Sequence, residues 1–213
     1  MYDWLRQLLI KWVPPQRLMA LEPTLRWWLW QGYRGKRCYC PLCDTKLGLF
    51  MPRPGGERQC PRCGSLGHHR RVWILLEADL EALSAVDLLH LQPGRALQRR
   101  LQAWEGLQQQ PHMGNTLPEA GRYDRIIAPP DLDPYRSSPE IASHLYGLLK
   151  PGGKLYVPEP NRSGSDPVNE RLIEALEAAG FHVRILAFDQ QDREQTRRRG
   201  LSPTERVWIA EKR

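Results

Sequence analysis

With 213 residues, 41% of them apolar and 26% charged, the chain can bury the core of one medium domain plus a small module, which excludes a disordered chain. A formal charge of +7 favours anionic partners, nucleic acid or an anionic membrane surface, without naming one. With no signal peptide and no disulfide-like framework, we expect a cytoplasmic protein whose cysteines serve a metal.

Residues 3–13 place Trp4, Leu5, Leu8, Leu9 and Trp12 at helical spacing, with Arg6 and Lys11 off that face. The pattern predicts an amphipathic helix ending before Pro14-Pro15, too short and too charged to be a transmembrane segment. A second segment sets Leu25, Trp27, Trp28, Leu29 and Trp30 among Arg26, Arg34, Lys36 and Arg37, so five of the eight tryptophans precede the first cysteine. Residues 1–37 therefore read as a basic helical arm. It either packs on the chain's own core or docks on a partner protein or a membrane interface.

Cys40-Pro41-Leu42-Cys43 and Cys60-Pro61-Arg62-Cys63-Gly64 stand sixteen residues apart. Two such knuckles bring four thiolates to the corners of one tetrahedron, so residues 38–66 are expected to form a zinc ribbon in which Cys40, Cys43, Cys60 and Cys63 hold a structural Zn²⁺. The other reading is four ordinary buried or redox cysteines. Between the knuckles, Leu47 to Phe50 and then Pro52, Pro54, Gly55 and Gly56 read as a short hairpin. Cys38 is a spare thiol or an exchange ligand for Cys40. His68 and His69 follow the second knuckle too closely to replace a cysteine easily.

Residues 67–213 alternate strands with helices. Ser65 is expected to cap a helix through Leu83, followed by a buried strand over 86–91, the turn Gln92-Pro93-Gly94 and a helix with Ala96, Leu97, Leu101 and Trp104. From 105 to 122 the pattern dissolves into glutamines, prolines and glycines, a loop with at most one short strand. Tyr123 to Ala128 is a strand. Ser138-Pro139-Glu140 starts a helix that stops at Pro151-Gly152-Gly153, and a strand follows over 154–157. Asp166-Pro167 opens another helix ending at Gly180. The strand 181–186, a basic loop over 193–200 with Arg197-Arg198-Arg199 that is either a solvated loop or a phosphate contact, and a last strand over 206–210 complete the chain. This alternation implies an α/β fold with a mostly parallel sheet covered on both faces.

Three stretches then carry a resemblance. Tyr123-Asp124-Arg125-Ile126-Ile127, Leu148-Leu149-Lys150-Pro151-Gly152-Gly153-Lys154-Leu155 and Leu176-Glu177-Ala178-Ala179-Gly180-Phe181 closely resemble the second half of class I SAM-dependent methyltransferases. Cys60 to Leu66, with His69-Arg70 beyond, resembles the zinc-ribbon leader of one bacterial branch of that family. The resemblance covers residues 40–213 with one gap. It implies a Rossmann-like sheet holding SAM at a glycine-rich first turn, at a ribose-binding acid after the second strand and at an adenine-binding acid after the third. Here only Gly94 offers close backbone approach. Seventeen residues, 106–122, stand where two strands and their helices belong, whereas one βαβ unit takes about 30. The second and third strands are expected to be missing or reduced to one, and neither Glu105 nor Glu119 has the spacing of a replacement acid. Ala128-Pro129-Pro130-Asp131 with Tyr135 only loosely matches an amino-methyltransferase motif.

The expected architecture is thus a helical arm, a four-cysteine zinc ribbon and a reduced Rossmann-like methyltransferase sheet. The expected function is a non-catalytic binding or scaffold module, with a protein partner for the arm. The alternative is an active SAM-dependent methyltransferase with a rebuilt pocket, in which Gln92, Gly94 and Asp131 hold the cofactor.

Overall fold

The computed structural model describes residues 15–83, 85–91, 94–105, 107–112, 119–129, 139–158, 167–187, 193–202 and 206–213. The helix expected over residues 3–13 lies outside them. Helix α1 (Pro15–Gln31) opens on a proline, whose missing N–H costs nothing in a first turn, and carries Pro23 within it. Two small antiparallel hairpins follow. Strand β1 (Arg34–Cys40) pairs with β2 (Thr45–Leu47) around the first knuckle, and β3 (Met51–Pro52) pairs with β4 (Arg58–Gln59), which leads into the second.

The remaining elements are α2 (Gly67–Leu80), β5 (Val86–Leu91), α3 (Arg95–Gln102), β6 (Leu107–His112), β7 (Tyr123–Ile127), α4 (Pro139–Leu148), β8 (Leu149–Pro158), α5 (Pro167–Ala178), β9 (Phe181–Ala187), α6 (Arg193–Arg198) and β10 (Arg206–Lys212). Six strands form one sheet in the order β6-β5-β7-β8-β10-β9. Strands β6, β5, β7 and β8 are parallel, and β10 runs antiparallel to both its neighbours, β8 and β9. This is the α/β class expected from the sequence. Strand order reverses at β5, with β6 on one side and β7 on the other, so the carboxyl ends of β5 and β7 flank a topological switch point.

Beyond β5 lies the single strand β6, among the described residues, where the resemblance implies two. Ten residues, 113–122, separate His112 from Tyr123, fewer than the dozen or more of a usual crossover.

Period-two alternation divides the core between the two faces of the sheet. Val86 and Leu88 of β5, Ile127, Tyr156 and Val207 pack with Trp73, Leu76, Leu97 and Leu101 of α2 and α3. On the other face Leu89, Ile126, Leu155 and Val157 pack with Leu145 and Leu148 of α4 and Leu176 of α5. Cys40, Leu42, Leu47, Phe50 and Cys60 belong to the first cluster. The ribbon therefore shares a core with the sheet.

Three local expectations need correction. Residues 193–200 contain helix α6 rather than a loop: Arg-Glu-Gln-Thr-Arg-Arg is a run of mostly good helix formers, Thr196 is buried, and Glu194 pairs with Arg198 one turn on at 2.6 Å. Strand β8 begins at Leu149, not Lys154, and absorbs Pro151-Gly152-Gly153 as a register shift between its pairings to Tyr123 and Arg125. Ser65 does not cap α2. Leu66 holds that place, because the serine hydroxyl faces the cysteine sulfurs.

Candidate metal centre and switch-point crevice

The four sulfurs of Cys40, Cys43, Cys60 and Cys63 all lie within 4.8 Å of one another. A tetrahedral Zn²⁺ with Zn–S near 2.3 Å sets its sulfurs about 3.8 Å apart. The Cys40–Cys63 and Cys43–Cys60 separations are 3.7 and 3.8 Å. Cys40 and Cys60 are fully buried. Hydrogen bonding to Cys40, Cys43 and Cys63, and then burial, pushes the Cys60 thiol far up, whereas the neighbouring cysteine thiols hold Cys63 well down. A cluster that cannot ionise fully by itself is one that a divalent cation completes. The donor set thus fits a closed structural zinc site.

The surroundings brace the knuckles. Fully buried Ser65 sets its hydroxyl 3.2 Å from Cys63 Sγ and 3.4 Å from Cys40 Sγ. Arg70 of α2, also fully buried, donates to Ser65 O at 2.6 Å, Arg58 O at 2.8 Å, Arg199 O at 2.9 Å and Gly200 O at 2.7 Å, with its guanidinium 4.3 Å from the Phe50 ring centre. One side chain therefore joins the ribbon to the turn after α6. Gly64, at φ +78°, lies under Arg26 of α1: a Cβ there would sit 2.6 Å from the guanidinium carbon. Arg26 pairs with Glu22 at 2.9 Å and Glu22 with Arg95 at 2.8 Å, which ties α1 to α3. Cys38 stands apart, its sulfur 3.8 Å from Gly48 O.

The second candidate place is the carboxyl end of β5. Of the residues expected to hold a cofactor there, Gln92 and Asp131 lie outside the described residues, and Gly94 is the residue before α3. The space that a Cβ would take at Gly94 holds the imidazole of His69, with Cε1 2.7 Å from that position and Nε2 closer still. His69 Nδ1 accepts the Leu66 N–H at 3.2 Å, so the neutral ring carries its proton on Nε2, the nitrogen turned toward Gly94. His90 of β5 is 6% exposed, and its Nδ1 has no hydrogen-bond partner among the described residues. His68 instead faces Glu57 at 3.5 Å.

Burial first, and then the nearby His68, Arg70 and His90, takes the His69 pKa down to about 3; burial takes His90 down to about 4. Unfolding returns each ring to about 6.5. Between those values the unfolded chain binds protons that the folded chain does not, so stability falls as pH drops below about 6.5. We expect unfolding free energy to decrease by about 2 kcal/mol per imidazole between pH 7 and pH 5. Urea titrations of wild type and His90→Leu, with zinc content followed in parallel, check this. The variant should show the shallower slope, and equal slopes would refute the assignment.

A further group that sequence reasoning missed is Asp79 of α2. Its carboxylate accepts from Arg125, from Lys154 Nζ at 2.6 Å and from Tyr156 Oη at 2.8 Å, clamping the helix to β7 and β8. Despite its burial these hydrogen bonds hold the carboxyl below its ordinary range. Only the polar interruption of an apolar helix face hinted at it.

No family model matches the sequence, and no curated protein does. Solved structures do. The chain is similar to the CurJ carbon methyltransferase, at 16% identity and TM-score 0.43, over 68% of this chain and 53% of that one, so the match spans about half of that protein. A SAM-dependent methyltransferase from Archaeoglobus fulgidus matches at 17% identity and TM-score 0.43, covering 68% of this chain and 94% of that one. One from Mesorhizobium loti matches at 14% and 0.45, covering 66% and 97%.

Proposed function

We propose that this chain is a zinc-stabilised binding or scaffold module, built on a methyltransferase-like sheet that keeps the fold without the cofactor chemistry. Its parts are an arm over 1–37, a ribbon over 38–66 whose Cys40, Cys43, Cys60 and Cys63 hold Zn²⁺, and a sheet domain over 67–213. The observation that carries this reading is His69. Its ring fills the space over Gly94, where a glycine-rich turn would otherwise let the backbone approach SAM. The end of β6 supports it. That strand finishes Pro111-His112, with no carboxylate for ribose hydroxyls, a loss of about 1.5–3 kcal/mol for one charge-assisted contact.

Calorimetric titration of the zinc-loaded full chain with SAM and with its demethylated product tests the reading. We expect no saturable heat at millimolar ligand. Micromolar binding would overturn it in favour of an active methyltransferase with a rebuilt pocket, with Gln92, Gly94 and Asp131 the first residues to substitute.

A further inference from the structure

The charge of the chain is unevenly placed. Its first 66 residues hold eleven lysines and arginines against four acidic residues, and the remaining 147 hold twenty against twenty. The whole formal excess therefore belongs to the arm and ribbon. A Zn²⁺ held by four thiolates returns two negative charges, but it does so in the buried centre beneath this surface.

Helix α1 belongs to that basic half and leaves Leu21, Trp27 and Trp28 turned outward. Among its exposed positions, 17, 20, 21, 24, 27 and 28 recur every three or four residues and form one stripe: Arg17, Ala20, Leu21, Thr24, Trp27 and Trp28. Leu21 is 50% exposed, Trp27 41% and Trp28 66%. The inward positions are already used, Arg26 on the second knuckle and Trp30 against the core. Arg17 lies on the stripe itself, and more basic groups follow the helix along the chain. The guanidinium of Arg34 lies 4.6 Å and that of Arg62 5.8 Å from the Trp30 ring centre, and Lys36 and Arg37 are exposed on β1.

We propose that this face is a docking surface for an anionic lipid bilayer, with α1 lying in the interface. Tryptophan and leucine on one helix face, with Arg17 on the same stripe and exposed Lys36 and Arg37 on the next strand, suit a surface that is apolar below and negative at its headgroups. No described helix is long and apolar enough to cross a membrane, so the helix lies on the bilayer. Single-stranded nucleic acid suits the same charge but not the same side chains. Leu21 and Ala20 give a base nothing to stack on, and the Trp27 and Trp28 rings stand edge to face at 87°, not as a platform for successive bases. The inference goes beyond the scaffold reading and holds whether or not SAM binds.

The test is co-sedimentation of the zinc-loaded full chain with vesicles of phosphatidylcholine alone and of phosphatidylcholine with phosphatidylglycerol, with tryptophan emission recorded. We expect binding to the anionic vesicles with a blue shift. Neutral vesicles and added salt should weaken it. Trp27→Ser with Trp28→Ser should reduce partitioning about tenfold or more, and Lys36→Gln with Arg37→Gln about as much. The second pair removes charge without touching the helix, so it serves where the first perturbs folding. No binding to anionic vesicles would overturn the proposal, as would both pairs binding like wild type. Tighter binding of a single-stranded oligonucleotide, abolished by the same substitutions, would assign the face to nucleic acid instead.

Discussion

Removing the metal is expected to unfold more than the ribbon. Zinc bound by four thiolates in a small domain contributes on the order of 10 kcal/mol, comparable with the whole stability of an ordinary domain. Here Cys40 and Cys60 share a hydrophobic cluster with Trp73, Leu97 and Val207, so the loss propagates into one face of the sheet. Chelation, or Cys60→Ser, should release one zinc per chain and abolish cooperative thermal unfolding. Cys38→Ser should keep both metal and transition, since its sulfur lies outside the four-sulfur group. Zinc determination with melts followed by circular dichroism decides the matter. A metal-free chain melting like the loaded one would remove the zinc assignment.

The second large effect is expected at Arg70. Its guanidinium meets backbone carbonyls at Arg58, Ser65, Arg199 and Gly200, all around a side chain with no exposure. Arg70→Met approximates the length and keeps the apolar stem, yet strands those acceptors. Each buried acceptor without its donor costs about 1–3 kcal/mol, and water recovers part of the sum, so the loss should reach roughly 3–5 kcal/mol. For a chain of this size that is a fall of about 10 °C or more in Tm. Arg70→Lys should recover only part, because an ammonium cannot span the fork that four carbonyls define. Urea denaturation at neutral pH measures it, and a loss below about 1 kcal/mol would show that the joint is held elsewhere.

The sequence exposed those parts of the molecule that repeat a local rule. Paired Cys-x-x-Cys knuckles, the proline at the start of α4 and the glycine after α5 each have one dominant local use, and the structure places them so. Strand β6, the one strand among the described residues of the glutamine-rich stretch, fits the length argument that 106–122 cannot hold two βαβ units. Long-range partners were not legible. Nothing near Asp79 announces Arg125, Lys154 and Tyr156, and nothing near Gly94 announces His69, twenty-five residues earlier. Ser65 shows how a local rule misleads: a serine before a helix suggests a cap until sulfurs 3.2–3.4 Å away claim its hydroxyl. Helix α6 was hidden because a count of charges looks the same in a loop and in a helix.

The placement of β10 bears on biosynthesis. Strands β8 and β9 are translated before the strand that lies between them, and β10 pairs with both along most of its length. Until it emerges, each nascent strand presents an unpaired edge, and Val157 of β8 lacks the neighbour Trp208 that covers it in the finished sheet. The growing chain therefore passes through a stage with two open edges, when pairing with another nascent chain competes with closure. Free chains truncated before residue 206 should be the ones that chaperones capture.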